Sequence, residues 1–205
     1  MLCSFQSQIT KLMARKKEFD KEEVLAKAMN TFWRYGYEGT SMQLLVETMG
    51  INRGSLYDTF GDKRSLFQSA IAHYEQTVME NTIAALKMPD ADKQTIINLF
   101  QDLVTRSVEK QNCYGCLITN TAIELCPDDG ETQKTINRNF HCVTQAFEHA
   151  LTQAQAKGQI KSDRNIACLA QYLTCSLQGL RVVAKVNRDR DTLHNIVNVI
   201  LSVLG

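Results

Sequence analysis

The residues best equipped for chemistry in this chain are hydrogen-bond donors, and they cluster between positions 40 and 64. Thr40 and Ser41 bring adjacent hydroxyls and Lys63 and Arg64 adjacent cations. Between them lies Asn52-Arg53-Gly54-Ser55-Leu56-Tyr57-Asp58-Thr59. Donors of this kind suit phosphate oxygens. A planar guanidinium such as Arg53 matches the O6/N7 edge of guanine, where a good bidentate contact discriminates by about 1–3 kcal/mol. Gly54 sits where a side chain would hold the backbone away from a duplex. The basic run Arg15-Lys16-Lys17 offers an arm that could follow a nucleic-acid backbone or enter a minor groove. Asp58 and Asp62 put negative charge close to the same surface, so non-specific binding should be modest and fall steeply with salt.

Those groups need a scaffold, and the sequence spells out a helical one. Asp20 followed by Glu23 resembles a capping box, and Val24, Leu25, Ala28 and Phe32 then repeat at helical spacing until Gly36. Thr40, with Gln43 three residues on, predicts a second start. Its apolar stripe is Met42, Leu45, Val46 and Met49, stopped by Gly50. Asn52 opens a third helix ending at Phe60-Gly61, and Asp62 caps a fourth that can run to about Lys87, before Pro89. The second and third are joined by Gly50-Ile51-Asn52, a tight turn with an apolar plug, and Leu56 and Phe60 face back to the second helix's stripe. This is a helix-turn-helix order, in which the second helix of the pair enters a major groove. The outward face then carries Asn52, Arg53, Ser55, Tyr57, Asp58 and Thr59. The helix starts at Thr40/Ser41 and at Lys63 supply free N–H groups for phosphate.

Other chemistries fare worse. Cys113-x-x-Cys116 lacks a second pair of ligands, so a zinc site is not expected, although His141-Cys142 lies on a neighbouring predicted helix. Cys116 near a helix start could be a redox or electrophile sensor with Cys113 or Cys126 as resolving thiol; the alternative is a buried, inert thiol. Asp128-Asp129-Gly130-Glu131 lacks the ligand series of a calcium loop and reads as helix-start acids. Four histidines, His73, His141, His149 and His194, and seven cysteines could form a Cys-His nucleophile pair. No phosphate loop, nucleophile elbow or HExxH helix accompanies them, so catalysis, metal and cofactor are not expected.

Composition sets the frame. The chain has 205 residues, 44% hydrophobic and 22% charged, with 23 basic against 22 acidic side chains for a net charge of +1. This excludes a polybasic coat or an acidic tail but leaves room for a local basic patch. Only 2 prolines and 10 glycines occur, too few for the many tight turns of a sheet protein. No run alternates with period two, and no apolar run reaches the ~18–20 residues that cross a bilayer. A cytoplasmic protein with reduced thiols and no membrane partner is expected. Met1 to Leu12 shows neither periodicity nor cap, and residues 1–13 are expected to be an extension outside the fold.

The run Gly36-Tyr37-Glu38-Gly39-Thr40-Ser41-Met42, then Met49-Gly50-Ile51-Asn52-Arg53-Gly54-Ser55-Leu56-Tyr57-Asp58-Thr59-Phe60-Gly61-Asp62-Lys63, resembles the DNA-binding domain of TetR/AcrR transcriptional regulators over about Glu22 to Ala70. The resemblance implies an all-α fold: three DNA-binding helices with a helix-turn-helix (residues 14–65), then a helical effector-binding and dimerisation domain (66–205). It also implies phosphate contacts at Thr40, Ser41, Tyr57 and Lys63 and base-reading positions at Asn52, Arg53 and Ser55. More loosely, Gly115 to Leu125 and Leu177-Gln178-Gly179-Leu180-Arg181-Val182 resemble helices of one subgroup of that family.

Beyond Pro89 long helices are expected over about 92–110, 115–126, 129–157, from after Asp163, and from Asp191 onward. The helix after Asp163 is apolar on two sides, with Ile166, Leu169, Leu173, Leu177 and Leu180 on one and Cys168, Cys175 and Gly179 on the other. Such a helix must be covered on two sides. The last two helices from each of two subunits would form a four-helix interface, and a homodimer would require a palindromic operator. A cavity for an unknown small-molecule effector is expected among Phe100, Val104, Cys116, Asn120, Ile123, Phe140, Phe147 and Tyr172, with Asn120 as polar anchor. The resulting expectation is a dimeric regulator, a repressor, that binds double-stranded operator DNA and is released by that effector.

Overall fold

The computed structural model describes residues 19–109 and 114–205. Three expectations therefore lie outside the described residues: the 1–13 extension, the Arg15-Lys16-Lys17 arm and Cys113. Among the described residues every regular element is helical.

Helix α1 (Lys21–Tyr35) starts where Asp20 accepts hydrogen bonds from the Glu22 and Glu23 N–H groups, which would otherwise lack partners. It buries Val24, Ala28 and Phe32 and ends at Gly36, whose φ of 77° few other residues adopt. Helix α2 (Met42–Met49) is capped by Ser41 rather than Thr40: the Ser41 hydroxyl accepts from Leu44 N–H at 3.1 Å. The Thr40 hydroxyl donates instead to Gly36 O at 2.6 Å, and Thr40 is 0% exposed. Two adjacent capping-type residues made the sequence ambiguous by one position. Gly50, at φ 70°, turns the chain into α3 (Arg53–Phe60), which Asn52 caps by accepting from Ser55 N–H. Ile51, Leu56 and Phe60 are buried with Leu45 and Met49, so the helix-turn-helix core is built by the stripe the sequence displays.

Helix α4 (Lys63–Tyr74), capped by Asp62, packs along α1 and buries Leu66, Phe67, Ala70, Ile71 and Tyr74. It does not run on regularly to Lys87. A π turn at Glu75–Met79 intervenes, then the short α5 (Glu80–Ile83) and a 3₁₀ turn, Ala84–Lys87. No proline or glycine marks that break.

The second layer comprises α6 (Lys93–Glu109), α7 (Leu117–Leu125), α8 (Gly130–Ala156), α9 (Ile166–Val186) and α10 (Arg190–Leu201). Helices α8 and α9 pack together, α6 packs on α8, α9 and α10, and α7 reaches back to α1 and α4. Helix α9 departs from one expectation: at 21 residues it is long and apolar enough to cross a membrane. The stripe containing Leu173, Leu177 and Leu180 is buried in the protein core, which is where its apolar character is used. Its other side stays open, with Tyr172, Val182, Val183 and Val186 exposed, Val186 by 88%, and Val199 of α10 exposed by 68%.

Candidate nucleic-acid interface

Helix α3 presents one polar face. Its cap residue Asn52 and the residues Arg53, Gly54 and Tyr57 are exposed, and Ser55 is half-buried. The Arg53 guanidinium lies 6.0 Å from the Tyr57 ring centre, and Tyr57 is 43% exposed. The phenol ring thus leans along the guanidinium while leaving both donors outward. Asn52 spends its carbonyl oxygen on the cap, 2.8 Å from Ser55 N–H, so its amide NH₂ is the group left to face a partner. A Cβ built on Gly54 would meet only the Asn52 side-chain oxygen, at 3.3 Å. Packing within the protein does not demand a glycine there.

The flanking positions divide into exposed and committed groups. Ser41 is exposed at the start of α2. Thr40 is not available for the contact expected of it, because it is fully buried and its hydroxyl is held by Gly36 O. The Lys63 ammonium sits 4.3 Å from the Tyr37 ring centre, a cation–π arrangement that keeps the charge at the edge of the same face. Arg64 turns the other way: its guanidinium pairs with Asp129 and donates to the Thr132 hydroxyl at 2.8 Å. Asp129 caps α8 by accepting from Glu131 and Thr132 N–H, as helix-start acids should. These bonds from Thr132, backbone and hydroxyl, followed by Arg64, hold its carboxyl at about 2.

A second bridge joins the two layers. The Glu124 carboxylate of α7 accepts from Tyr37 N–H at 3.0 Å and Glu38 N–H at 2.8 Å. It closes over Gly36 so tightly that a Cβ there would lie 2.8 Å from a carboxylate oxygen. The turn leading from α1 to α2 is thereby fastened to the second layer.

Behind this junction lies a cavity of about 290 Å³. Asn30 and Trp33 of α1 line it from one side, and Tyr74 and Val78 from α4 and its π turn. Helix α6 contributes Leu99, Leu103, Arg106 and Ser107, and Leu177 and Arg181 of α9 close the far wall. None of the eight residues expected to line an effector cavity lines this one. Phe100, Val104 and Phe147 are filled core, Phe100 and Phe147 stacking with ring centres 6.1 Å apart. Ile123 is 70% exposed and Tyr172 also faces outward, while Phe140 is half-buried against the core. Asn120 donates to Tyr114 O at 2.9 Å, anchoring the entry to α7 rather than a ligand. Cys116 is buried one layer behind, its sulfur 3.6 Å from the Tyr74 hydroxyl.

Sequence reasoning missed Trp33, Tyr74 and Arg181 as cavity residues. One signal was present: Arg181 interrupts the buried series Thr174, Leu177 and Ala184 at a position whose neighbours are core. A cation there needs a reason. The Cys116 thiol also differs from an inert core thiol. Burial raises its pKa, but the Arg181 charge and hydrogen bonds from Thr119 and Tyr74 outweigh burial, and the net direction is down.

Comparison with known proteins follows the same division. Residues 24–70 match the model of bacterial regulatory proteins of the tetR family, and residues 93–200 match the tetracyclin repressor-like C-terminal domain. The HTH-type transcriptional regulator YezE of Bacillus subtilis (strain 168) is 40% identical over 94% of this chain and 100% of its own. The HTH-type transcriptional repressor ComR of Escherichia coli (strain K12) is 28% identical, over 94% of this chain and 92% of its own. A cysteine mutant of the TetR family regulator CifR, solved with a 26-base-pair operator duplex, superposes with a TM-score of 0.83 at 28% identity. That match covers 94% of this chain and all of CifR's. With an exposed helix-turn-helix face, a helical second layer and both family models in register, the chain belongs to the TetR family of DNA-binding transcriptional regulators.

Proposed function

We propose that the chain acts as a homodimeric repressor that grips a palindromic operator and lets go when a small molecule fills the cavity at its domain junction. The single observation that carries this reading is the cavity's position. Its walls come from α1 of the DNA-binding layer and from α6 and α9 of the second layer, so an occupant touches both. Arg53 and the Asn52 amide read base edges, Ser55 assists, and Ser41, Tyr57 and Lys63 hold phosphate. The exposed apolar side of α9 and α10 is the dimer face, and its two-fold axis sets the palindrome. An occupant that favours a different tilt of α1 and α4 shifts the spacing of the two recognition helices away from the roughly 34–36 Å of successive major grooves.

The test is binding of the purified protein to the duplex upstream of its own gene, followed by fluorescence anisotropy. Wild type should bind specifically, and Arg53→Ala should lose specific binding by about 10–100-fold with its helical content intact. Equal binding by Arg53→Ala would refute the assignment of α3 as the reading helix. That CifR was solved with operator DNA supports the duplex as partner.

A second reading has its own observation, the depressed Cys116 thiol beside the Tyr74 hydroxyl. In it, oxidation or alkylation of Cys116 releases the operator. Release by hydrogen peroxide or a reactive aldehyde that disappears in Cys116→Ser favours this reading. Release by an unreactive compound, unchanged in Cys116→Ser, favours simple occupancy.

A further inference from the structure

The junction cavity contains an electrostatic imbalance. Arg181 is only 9% exposed and lines the cavity, yet among the described residues no Asp or Glu lines it. Among the described residues its side chain makes a long hydrogen bond, 3.4 Å to the Gln178 side-chain oxygen, which already accepts from the Thr119 hydroxyl at 2.8 Å. A guanidinium has five N–H donors, and leaving a buried one without an anion is costly. A second donor stands across the cavity: the Trp33 indole N–H is buried and has no acceptor among the described residues. Arg106, also on the wall, brings another cation. Val78, Leu99, Leu103 and Leu177 give the cavity an apolar stretch, beside the neutral polar groups of Asn30, Thr82, Ser107 and Tyr114.

From this arrangement we infer that the cavity binds a small amphiphilic carboxylate, its anionic end on Arg181 and its apolar body against Leu99, Leu103 and Leu177. The inference rests on the proposal that this cavity is the effector site and names the chemical class that fits it. Planar, bidentate pairing of guanidinium with carboxylate supplies what Arg181 lacks. A volume of about 290 Å³ suits a single ring or a chain of similar bulk. The groups facing Arg181 from neighbouring elements are the Cys116 thiol and the Tyr74 hydroxyl, both within its field.

Trp33 is the chain's only tryptophan, so its emission reports occupancy without a label. Titrating the full chain with benzoate, phenylacetate and octanoate, and in parallel with benzamide, phenylacetamide and octanamide, separates charge from shape. At least one carboxylate should change Trp33 emission saturably while its amide does not. Arg181→Met should weaken that carboxylate by about 10–100-fold, with Arg181→Lys intermediate. Should Arg181→Met fail to fold, Leu103→Trp, read by isothermal calorimetry, should block binding by filling the cavity. Equal binding of an amide, unchanged binding in Arg181→Met, or no saturable change with any carboxylate at millimolar concentration would overturn the inference. Operator anisotropy is read separately: a carboxylate that binds through Arg181 yet leaves operator affinity unchanged confirms the anion site and refutes the effector reading.

Discussion

Substituting Gly54 by alanine should push stability and DNA affinity in opposite directions. Gly54 is the second residue of an eight-residue helix, where glycine costs roughly 0.5–1 kcal/mol relative to alanine. The new methyl would meet one atom, the Asn52 side-chain oxygen at 3.3 Å, and because that oxygen also caps the helix through Ser55 N–H, its small adjustment gives back part of the gain. The first turn of a helix gains less than its interior, so a net stabilisation of about 0.3–0.5 kcal/mol is expected, a rise in Tm of about 1–2 °C. On a duplex the same methyl stands between the backbone and the groove floor and lifts Arg53 and Ser55 together. A loss of operator affinity of about tenfold or more follows, about 1.4 kcal/mol. Differential scanning fluorimetry and anisotropy on one preparation measure both. Unchanged operator affinity would refute the claim that this face meets DNA. A large fall in Tm would show that the protein's own packing requires the glycine.

Four further outcomes are expected. Gly50→Ala forces a methyl into a backbone at φ 70° with nothing within 4 Å to help or hinder it, so denaturant titration should show a loss of about 1–2 kcal/mol from backbone strain alone. Glu124→Gln keeps the shape but removes the charge that holds Tyr37 and Glu38 N–H; faster amide exchange at those two residues, by roughly tenfold, should accompany a normal α7. Asp129 has a folded-state pKa depressed from 3.8 to about 2. Its contribution is therefore complete above pH 4 and lost as pH falls towards 2, and Asp129→Asn should flatten that part of the stability profile measured by urea titration. Val182→Asp, on the exposed side of α9, should convert the dimer to monomer by light scattering and abolish operator binding while leaving the helical spectrum unchanged.

The elements of the first layer were legible because each begins at a side chain able to accept from its own first turn: Asp20, Asn52 and Asp62 all do so. Where two such residues adjoin, at Thr40-Ser41, local chemistry could not choose, and the burial of Thr40 against Gly36 O decided. The exposed face of α3 was legible for the complementary reason, since polar residues on a short amphipathic helix have only one side to occupy. The cavity was not. A stripe of apolar residues announces that it will be covered, but Phe100 and Phe147 meet a neighbour whereas Leu99 and Leu103, on the same helix as Phe100, border a void. That difference arises only when α1, α4, α6 and α9 converge. Nor does anything in Glu75-Gln76-Thr77-Val78-Met79 favour a π turn; it follows from the demands of the two layers it connects.

That turn gives the long connection between the layers a definite phase. Before it the buried positions are Leu66, Phe67, Ala70, Ile71 and Tyr74; after it they are Met79, Ile83 and Leu86. The step from Tyr74 to Met79 is five residues, whereas a continuous α-helix would have turned position 78 inward. One residue is thus absorbed between the two apolar stripes, as a splice absorbs slack between two cables cut to different lengths. Removing a single residue from Glu75–Met79 would restore unbroken helical spacing and keep Met79, Ile83 and Leu86 inward, whereas straightening the turn without a deletion would rotate Thr82 and Ala85 towards the core in place of Ile83 and Leu86. A chimera that joined this DNA-binding layer to the second layer of a relative would fold as one body only if both parts kept the same offset, whatever the quality of each half on its own.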